Sequence, residues 1–329
     1  MRKLLLPGLP VFLSLLVLGL ACAPAPARNP WLGKTSHFWQ GNGSMRKESL
    51  NIGGTDRTYY VYTPRGIGAG SAPLPLVIAL HGGGGTAERM DKLTGGITRV
   101  ADSNGFLIAF PQGEQKRWND GRKAESITGS LDDVGFIAQM IDTLVSRGKV
   151  DSKRVYATGI SNGGFFSQYL AIKLPDRIAA VATVAATVPE SWQSESPGRP
   201  VPVMMILGLE DPLVPYNGGR IGGKILRRDR GSVLPAGQSI SYWLDNNSVD
   251  RSSRRENRID NDPDDGTSLV VSTFGQDADK KQVMVVDVRG GGHTWPRGWK
   301  YLPEALIGRT SQEIDANEAI WNFFRSHSL

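Results

Sequence analysis

Residues 154–174 read RVYATGISNGGFFSQYLAIKL, and this stretch decides the fold. Its first five residues form a short apolar run typical of a buried strand, and the residues from Asn162 onward place apolar side chains at helical spacing. Between strand and helix stands Gly-Ile-Ser-Asn-Gly, a G-x-S-x-G turn whose glycines leave room for a strained backbone. We therefore expect Ser161 to be an exposed nucleophile at the start of the helix. The alternative is an ordinary serine–asparagine helix cap with turn glycines.

Outward from this stretch, apolar runs alternate with helix-like segments. The predicted strands cover 57–63, 76–80, 106–110, 154–158, 179–184, 201–207 and 283–288. The predicted helices cover 135–147, 162–174 and 311–326. Strands that alternate with helices form βαβ units, and runs without polar alternation suit strands that are buried on both faces. The pattern predicts an α/β fold in which helices flank a mostly parallel central sheet.

A serine nucleophile needs a base, and the chain offers four histidines. His37 and His327 lie near the two ends of the chain, and His81 precedes the serine inside another motif. His293 follows the last apolar run, in the glycine-rich stretch RGGGHTWP, and obeys the serine–acid–histidine order expected with this turn. We predict that His293 is the base, and the alternative is a histidine in a surface loop.

The supporting acid should follow a strand that lies between the serine and the histidine in sequence. Asp211 does so, since GLEDP directly follows the apolar run 201–207. We predict Asp211 as the acid. Neighbouring Glu210 is the second candidate, because an acid one position away can reach a similar place. The alternative for Asp211 is a role in capping a helix or forming the turn.

Four glycines follow the apolar run 76–80, in the sequence HGGGG. Loops of this type supply backbone amides to the tetrahedral intermediate of acyl transfer, and each donor is worth about 3 kcal/mol. We predict that the amides of Gly83 and Asn162 form the oxyanion hole. A phosphate-binding loop is the alternative, but the sequence has neither the G-K-[ST] ending nor a dinucleotide fingerprint.

Aromatic and basic residues near these loops are candidates for a substrate pocket. Trp118, in WNDGR, and Trp295, close to His293, are predicted to contact substrate, with packing inside their loops as the alternative. A basic run suits either an acidic polysaccharide or a solvated loop face, and it comprises Arg220, Lys224, Arg227, Arg228 and Arg230. The sequence has no C-x-x-C or H-E-x-x-H spacing, so no metal site is predicted.

The N-terminal region has the features of an exported protein. Residues 1–21 begin with basic residues and continue with a mostly apolar stretch, which predicts an export signal. Cys22 follows Gly-Leu-Ala and is a candidate for lipidation, which would tether the protein to a membrane surface. The alternative is ordinary cleavage after the Ala-Pro-Ala stretch at 25–27.

The whole chain has the composition of a soluble globular protein, with 40% apolar and 21% charged residues. The formal net charge of +6 is mild for 329 residues, so nucleic-acid binding is not expected. Residues 22–48, rich in proline, glycine and serine, are predicted to be a tether. Residues 49–329 are predicted to form one catalytic domain, with an insertion at 218–281 before the last strand.

Several motifs together resemble secreted esterases similar to polyhydroxybutyrate depolymerases, which are related to feruloyl and acetylxylan esterases of carbohydrate esterase family one. The motifs are PLVIALHGGGG, the FPQG and WNDGR pair, DDVGFI, VDSKRVYATGISNGG, EDPLVPYNGG and GGGHTWPRG. The resemblance implies the α/β-hydrolase fold, a triad of Ser161, Asp211 and His293, and ester hydrolysis without a metal or cofactor. Two features depart from the family. Paired cysteines are missing from the insertion, and Leu207 stands where a histidine is usual.

We therefore expect an exported serine esterase that hydrolyses feruloyl or acetyl esters of plant polysaccharide. One alternative is hydrolysis of polyhydroxybutyrate or another short-chain polyester with the same residues. An alternative of another class is a catalytically silent surface protein that binds carbohydrate, because a fold alone does not prove a function. Contact with a membrane is expected only through a lipid at Cys22.

Overall fold

The computed structural model describes residues 39–68, 70–122, 124, 131–222, 229–276 and 280–329. The predicted export signal at 1–21, Cys22 and most of the predicted tether lie outside the described residues. The described strands are β1 (Ser44–Ile52), β2 (Thr55–Thr63), β3 (Leu74–Leu80), β4 (Leu107–Pro111), β5 (Val150–Ile160), β6 (Ala180–Val184), β7 (Val203–Gly208), β8 (Gly219–Arg220), β9 (Ser232–Val233), β10 (Arg255–Ile259), β11 (Ser268–Phe274) and β12 (Val283–Arg289). The described α-helices are α1 (Ala87–Leu93), α2 (Ile97–Asn104), α3 (Asp133–Ser146), α4 (Asn162–Lys173), α5 (Ala236–Asn246), α6 (Glu304–Ile307) and α7 (Ala316–Phe324).

Ten of the described strands form one sheet in the order β1-β2-β4-β3-β5-β6-β7-β12-β11-β10. The central strands from β4 to β12 in this order are parallel, and antiparallel strands extend the sheet at both edges. Strands β8 and β9 pair separately as a small hairpin. The prediction of a mostly parallel sheet flanked by helices is confirmed, and each of the predicted strands is present.

Apolar side chains cover both faces of the central strands. In β3, Leu76, Ile78 and Leu80 lie in the apolar layer shared with α3, α4 and α5. The intervening Val77 and Ala79 lie in the layer shared with α1, α2 and α7. Because both faces are covered, these strands need no polar residues in alternation, and they stand out in the sequence as continuous apolar runs.

The domain begins earlier than the predicted boundary at residue 49. Trp39 packs on Phe110, with ring centroids 4.9 Å apart, and β1 pairs with β2 from Ser44 onward. The described end of the predicted tether, residues 39–48, therefore belongs to the domain. Periodicity could not reveal this, because β1 is an edge strand with largely polar residues.

Residues 218–281 were predicted to be an insertion, but part of this range belongs to the central sheet. Within this range β10 and β11 extend the central sheet, and α5 packs against β12 with Trp243 fully buried. The β8–β9 hairpin is the part that stands outside the sheet. The sequence RENRI of β10 is almost entirely exposed, so it carries no hydrophobic period that could predict a strand.

The last helix, α7, begins at Ala316, later than the predicted start at residue 311. Asp315 caps it, since its carboxylate accepts hydrogen bonds from the amides of Asn317 and Glu318. A cap of this kind fixes where a helix starts more firmly than apolar spacing does. Among the described helices, none is both long and apolar enough to cross a membrane.

Candidate active site

Ser161 stands on a sharp turn between β5 and α4. Its backbone adopts φ 56° and ψ −122°, in a region that non-glycine residues rarely occupy. The Ser161 amide donates to the carbonyl of Val184 at 2.9 Å, which ties the turn to β6. A Cβ at Gly159 would lie 2.5 Å from Gly163, and one at Gly163 would lie 2.2 Å from the carbonyl oxygen of Leu80. The two glycines of the motif are thus required by close backbone contacts, as the sequence predicted.

Asp211 and His293 form a buried pair. The Nδ1–H of His293 donates to Oδ2 of Asp211 at 2.7 Å, and each side chain is only 2% exposed. The other carboxylate oxygen, Oδ1, accepts hydrogen bonds from the amides of Leu213 and Val214, both at 2.8 Å. The carboxylate therefore holds the proton of the imidazole on Nδ1, which leaves the Nε2 lone pair available as a base.

Glu210, the second candidate for the acid, is placed differently. Its side chain is exposed, whereas the neighbouring Asp211 points to the histidine. The Glu210 amide donates to the carbonyl of Gly291 at 2.9 Å, so its backbone joins the two loops while its carboxylate faces solvent. The geometry therefore selects Asp211 as the partner of His293.

Close contacts between loops hold the histidine in place. A Cβ at Gly208, the last residue of β7, would lie 2.4 Å from the carbonyl oxygen of Gly292, so glycine allows the two loops to touch. The Tyr301 hydroxyl donates to the carbonyl of His293 at 3.1 Å. Burial, with a smaller effect of the Asp211 charge, raises the pKa of Tyr301 well above its usual value. This hydroxyl therefore remains a neutral donor.

The serine lies at the same edge of the sheet as the Asp211–His293 pair. Ser161 follows β5, Asp211 follows β7 and His293 lies beyond β12, and these strands are parallel with only β6 between β5 and β7. Among the described residues, neither the Ser161 hydroxyl nor His293 Nε2 has a hydrogen-bond partner. Both reactive atoms are thus left unengaged. Such contacts commonly tighten only when substrate is bound.

The glycine loop after β3 lies directly over the serine turn. A Cβ at Gly83 would lie 3.8 Å from the Cβ of Asn162, so these two residues are neighbours. Within the described part of the chain, neither backbone N–H has a hydrogen-bond partner. Two adjacent amides without partners, one of them at the N-terminus of α4, can bind an oxyanion.

His81 fixes the conformation of this glycine loop. Its Nδ1–H donates to the carbonyl of Gly82 at 2.9 Å, and its Nε2 accepts from the amide of Gly113 at 3.0 Å. Burial lowers the pKa of His81 to about 4, so the ring is neutral at physiological pH. No role was predicted for His81 from the sequence, although its position as the first residue of HGGGG was an available signal.

The WNDGR segment forms hydrogen bonds with the serine turn. The side-chain oxygen of Asn162 accepts from the Trp118 amide at 2.8 Å, and its nitrogen donates to Asp120 Oδ2 at 2.7 Å. Asp120 is fully buried and is paired with Arg122, whose Nε lies 2.9 Å from both carboxylate oxygens. Asp120 and Arg122 were missed by the sequence analysis, because a buried ion pair within a loop has no sequence period.

Trp118 and Trp295, which were predicted to contact substrate, are both buried in the structure. Trp118 is 1% exposed, stacks on Phe166 with ring centroids 5.1 Å apart, and donates from Nε1 to the carbonyl of His81. Trp295 is 2% exposed and donates from Nε1 to Asn317 of α7 at 3.1 Å. Both indoles are core residues with satisfied N–H groups, and neither ring offers a face to a ligand.

Two further features of the described residues bear on binding, namely the lack of a metal-binding cluster and a groove away from the candidate triad. No group of three or more histidine, cysteine or acidic side chains among them could hold a metal ion. A groove of about 710 Å³ lies between α7 and strands β10 to β12, and Met204, Met284 and Phe323 are among its lining residues. None of the candidate catalytic residues lines this groove.

Comparisons with known proteins identify esterases as relatives of this chain. The family described as esterase PHB depolymerase matches residues 57–197. A protein named "Putative esterase NocK" from Nocardia uniformis subsp. tsuyamanensis is 30% identical over 83% of this chain and 80% of its own length. Feruloyl esterase B from Piromyces equi is 27% identical over 75% of this chain, which corresponds to 45% of that protein. Poly(3-hydroxyalkanoate) depolymerase C from Paucimonas lemoignei is 30% identical over 38% of this chain and 30% of its own length.

A solved structure supports the fold. The acetyl xylan esterase from Aspergillus awamori superimposes with a TM-score of 0.55, covers 85% of this chain and 99% of its own, and is 18% identical. At this identity the likeness concerns the fold, which is therefore of the α/β-hydrolase type.

Proposed function

The chain belongs to the esterase PHB depolymerase family and is a carboxylic ester hydrolase, and we propose that Ser161, His293 and Asp211 are its catalytic triad. The observation that carries this proposal is the buried hydrogen bond of 2.7 Å between His293 Nδ1 and Asp211 Oδ2, at the same sheet edge as the strained Ser161 turn. A catalytically silent carbohydrate-binding protein, the alternative of another class, is set aside because the relatives of the chain are named as esterases.

Acylation begins when the Ser161 hydroxyl attacks the carbonyl carbon of the ester. His293 Nε2 takes the hydroxyl proton, and the carboxylate of Asp211 stabilises the imidazolium that forms. The amides of Gly83 and Asn162 donate to the oxyanion of the tetrahedral intermediate, each contributing about 3 kcal/mol. The C–O bond to the alcohol then breaks, and His293 returns the proton to the leaving oxygen.

Deacylation repeats these steps with water as the nucleophile. His293 takes a proton from the water, the hydroxide adds to the acyl carbon, and the carboxylic acid leaves Ser161 as the hydroxyl regains its proton. The His81 ring and the Asn162 side chain contribute indirectly, because they hold the glycine loop and the serine turn in the geometry that the oxyanion needs.

We propose feruloyl or acetyl esters of plant polysaccharide as the substrate class. Support comes from relatives that are named feruloyl esterase B and acetylxylan esterase. A polyester such as polyhydroxybutyrate is the second candidate, favoured by the relative named poly(3-hydroxyalkanoate) depolymerase C. Because Trp118 and Trp295 are buried, an aromatic acyl group would have to be bound by other side chains.

Initial rates with methyl ferulate and 4-nitrophenyl acetate test both the catalytic triad and the substrate class. The full chain should hydrolyse at least one of them, and Ser161→Ala should abolish turnover of both. Ser103→Ala, an exposed serine on α2, is the control and should match the wild type. Turnover that survives in Ser161→Ala would refute the triad, whereas failure on both small esters with turnover of a polyester film would move the substrate to the second candidate.

We also propose that the protein is exported, on the strength of the basic and apolar residues at 1–21. Fractionation of bacteria that express the full chain should place the esterase activity outside the cytoplasm. If Cys22 is the anchor, the wild type takes up radiolabelled fatty acid and Cys22→Ser does not. Export without label would favour cleavage after 25–27, and activity retained in the cytoplasm would contradict export.

A further inference from the structure

The β8–β9 hairpin borders the candidate active site and is anchored on two sides. The Gly222 amide donates to the carbonyl of Leu213, in the loop that carries Asp211, at 2.6 Å. After β9, the Leu234 amide donates to the carbonyl of Val188, beyond β6, at 2.8 Å. The described ends of the hairpin are therefore held against the loops at the catalytic edge of the sheet.

Arg230, just before β9, extends its guanidinium to the glycine loop. Its Nη1 lies 3.8 Å from the position that a Cβ on Gly83 would occupy. Standard bond lengths then place this nitrogen no farther than about 6 Å from the Gly83 amide. The side chain is half-buried, and its Nε is fully shielded from solvent. A positive charge is therefore placed beside the amides that we assign to the oxyanion.

The backbone of Arg230 is held by the same network that supports the serine turn. Arg122 Nη1 donates to the carbonyl of Arg230 at 3.2 Å. Arg122 itself is fixed by buried Asp120, and its guanidinium packs 4.3 Å from the centre of the Phe165 ring. Asp120 accepts from the Asn162 side chain. The position of Arg230 is thus coupled through two buried residues to the catalytic turn, unlike that of a solvated surface arginine.

We propose that Arg230 is a specificity residue that binds a carboxylate of the substrate next to the scissile ester, so that anionic esters are preferred over neutral ones. The inference rests on the proposed roles of Ser161, Gly83 and Asn162. A guanidinium matches the two oxygens of a carboxylate in geometry and charge. The carboxylate can belong to the alcohol, as in an ester on an acidic sugar, or to the acyl group, as in the half-ester of a dicarboxylic acid.

Two matched pairs of esters separate these sources. For the acyl side, 4-nitrophenyl hemisuccinate is compared with 4-nitrophenyl butyrate. For the alcohol side, 3-acetoxybenzoate is compared with its methyl ester. The quantity measured is the ratio of kcat/KM for the anionic ester to kcat/KM for the neutral ester, in the wild type, Arg230→Gln, Arg230→Lys and Arg220→Gln. Arg220 is an exposed arginine on β8 of the same hairpin, so Arg220→Gln is the matched control for the loss of one charge.

In at least one pair, the ratio should fall about 10- to 100-fold in Arg230→Gln, as expected for the loss of a charged hydrogen bond. Arg230→Lys should retain part of the preference, and Arg220→Gln should keep the wild-type ratio. The loss should reside in KM, because the carboxylate is bound equally in the ground state and the transition state.

An unchanged ratio in Arg230→Gln for both pairs would overturn the inference, and so would an equal fall in Arg220→Gln. A loss of the same size on anionic and neutral esters would also overturn it, since Arg230 would then act on the oxyanion or on the loop. Ser161→Ala is assayed in parallel. Turnover in that variant would refute the proposed function itself. If Ser161→Ala is inactive and the kcat/KM ratios of Arg230→Gln equal those of the wild type, only the role of Arg230 is refuted.

Discussion

Replacement of Asp211 by asparagine should reverse the tautomer of the catalytic histidine. In the native protein Oδ1 accepts two backbone amides at 2.8 Å, and Oδ2 accepts the His293 Nδ1–H at 2.7 Å. The oxygen of an asparagine must take the position of Oδ1, because an NH₂ group there would face two N–H donors. The NH₂ group is then directed at His293 Nδ1, which can accept this hydrogen bond only after it gives up its proton.

The consequence is a base that is protonated on the wrong nitrogen. Nε2 of His293 would carry the proton and could not take the one from the Ser161 hydroxyl. Exchange of a triad aspartate for asparagine lowers kcat about 10⁴-fold in serine hydrolases, which corresponds to about 5 kcal/mol of transition-state stabilisation. Both backbone hydrogen bonds of the loop survive, so we expect the unfolding free energy to change by no more than about 1–2 kcal/mol.

Initial rates with saturating 4-nitrophenyl acetate measure the effect on kcat, and urea unfolding of the same samples measures stability. Glu210→Gln is the matched control, because the neighbouring carboxylate is exposed and should give nearly the wild-type rate. A fall of less than 10-fold in Asp211→Asn would refute the reasoning. An equal loss of kcat in Glu210→Gln would show that the assignment of the acid to Asp211 alone is wrong.

Further predictions concern the stability of the site and its supports. Gly163→Ala should unfold the domain or lower its unfolding free energy by several kcal/mol, because the added Cβ would lie 2.2 Å from a carbonyl oxygen of β3. Gly237→Ala, in open space on α5, should raise the unfolding free energy measured in urea by up to about 1 kcal/mol. Arg57→Met should lower the unfolding free energy by about 3–5 kcal/mol at pH 7, because it leaves the buried carboxylate of Asp133 without its ion-pair partner. This loss of stability should shrink as the pH falls, since burial already raises the pKa of Asp133 and the carboxylate becomes protonated. Burial lowers the pKa of His81 in the folded state to about 4, below its usual value of 6.5, so the unfolded state binds more protons between these two pH values. Stability should therefore fall by about 3 kcal/mol from pH 6.5 to 4, and His81→Gln should lack this component.

Each of these predictions has a result that would contradict it. A Gly163→Ala protein as stable as Gly237→Ala would mean that the close contact at the serine turn does not exist. An Arg57→Met penalty that grows on acidification would show that Asp133 does not carry the unpaired charge. A parallel pH dependence in wild type and His81→Gln would show that the histidine is protonated as easily in the folded as in the unfolded state.

The sequence predicted the parts of the fold that depend on burial on both faces. Strands such as β3 and β7 have continuous apolar runs because helices cover them on either side. Edge strands escaped prediction for the opposite reason, since β1 and β10 expose most of their residues and carry no hydrophobic period. The start of α7 also depended on one capping carboxylate, that of Asp315, and apolar spacing does not locate such a cap.

The residues of the candidate site also differ in whether the sequence alone could predict their roles. Ser161 and Gly163 could be recognised because the strained turn restricts which residues fit locally. The functions of the aromatic and charged loop residues could not be recognised, because burial of Trp118 and the pairing of Asp120 with Arg122 arise from contacts between separate segments. The same limit applies to Arg230, whose place beside the glycine loop depends on how the hairpin is anchored.

The identity of the nucleophile is tested most directly by a covalent probe. The full chain is incubated with diisopropyl fluorophosphate, the intact mass is followed together with esterase activity, and the modified peptide is identified. We predict that the Ser161 oxygen displaces fluoride, that one adduct per chain forms on Ser161, and that activity is lost in proportion. An adduct on another residue that accompanies the loss of activity, or full activity in a protein completely modified at Ser161, would contradict it.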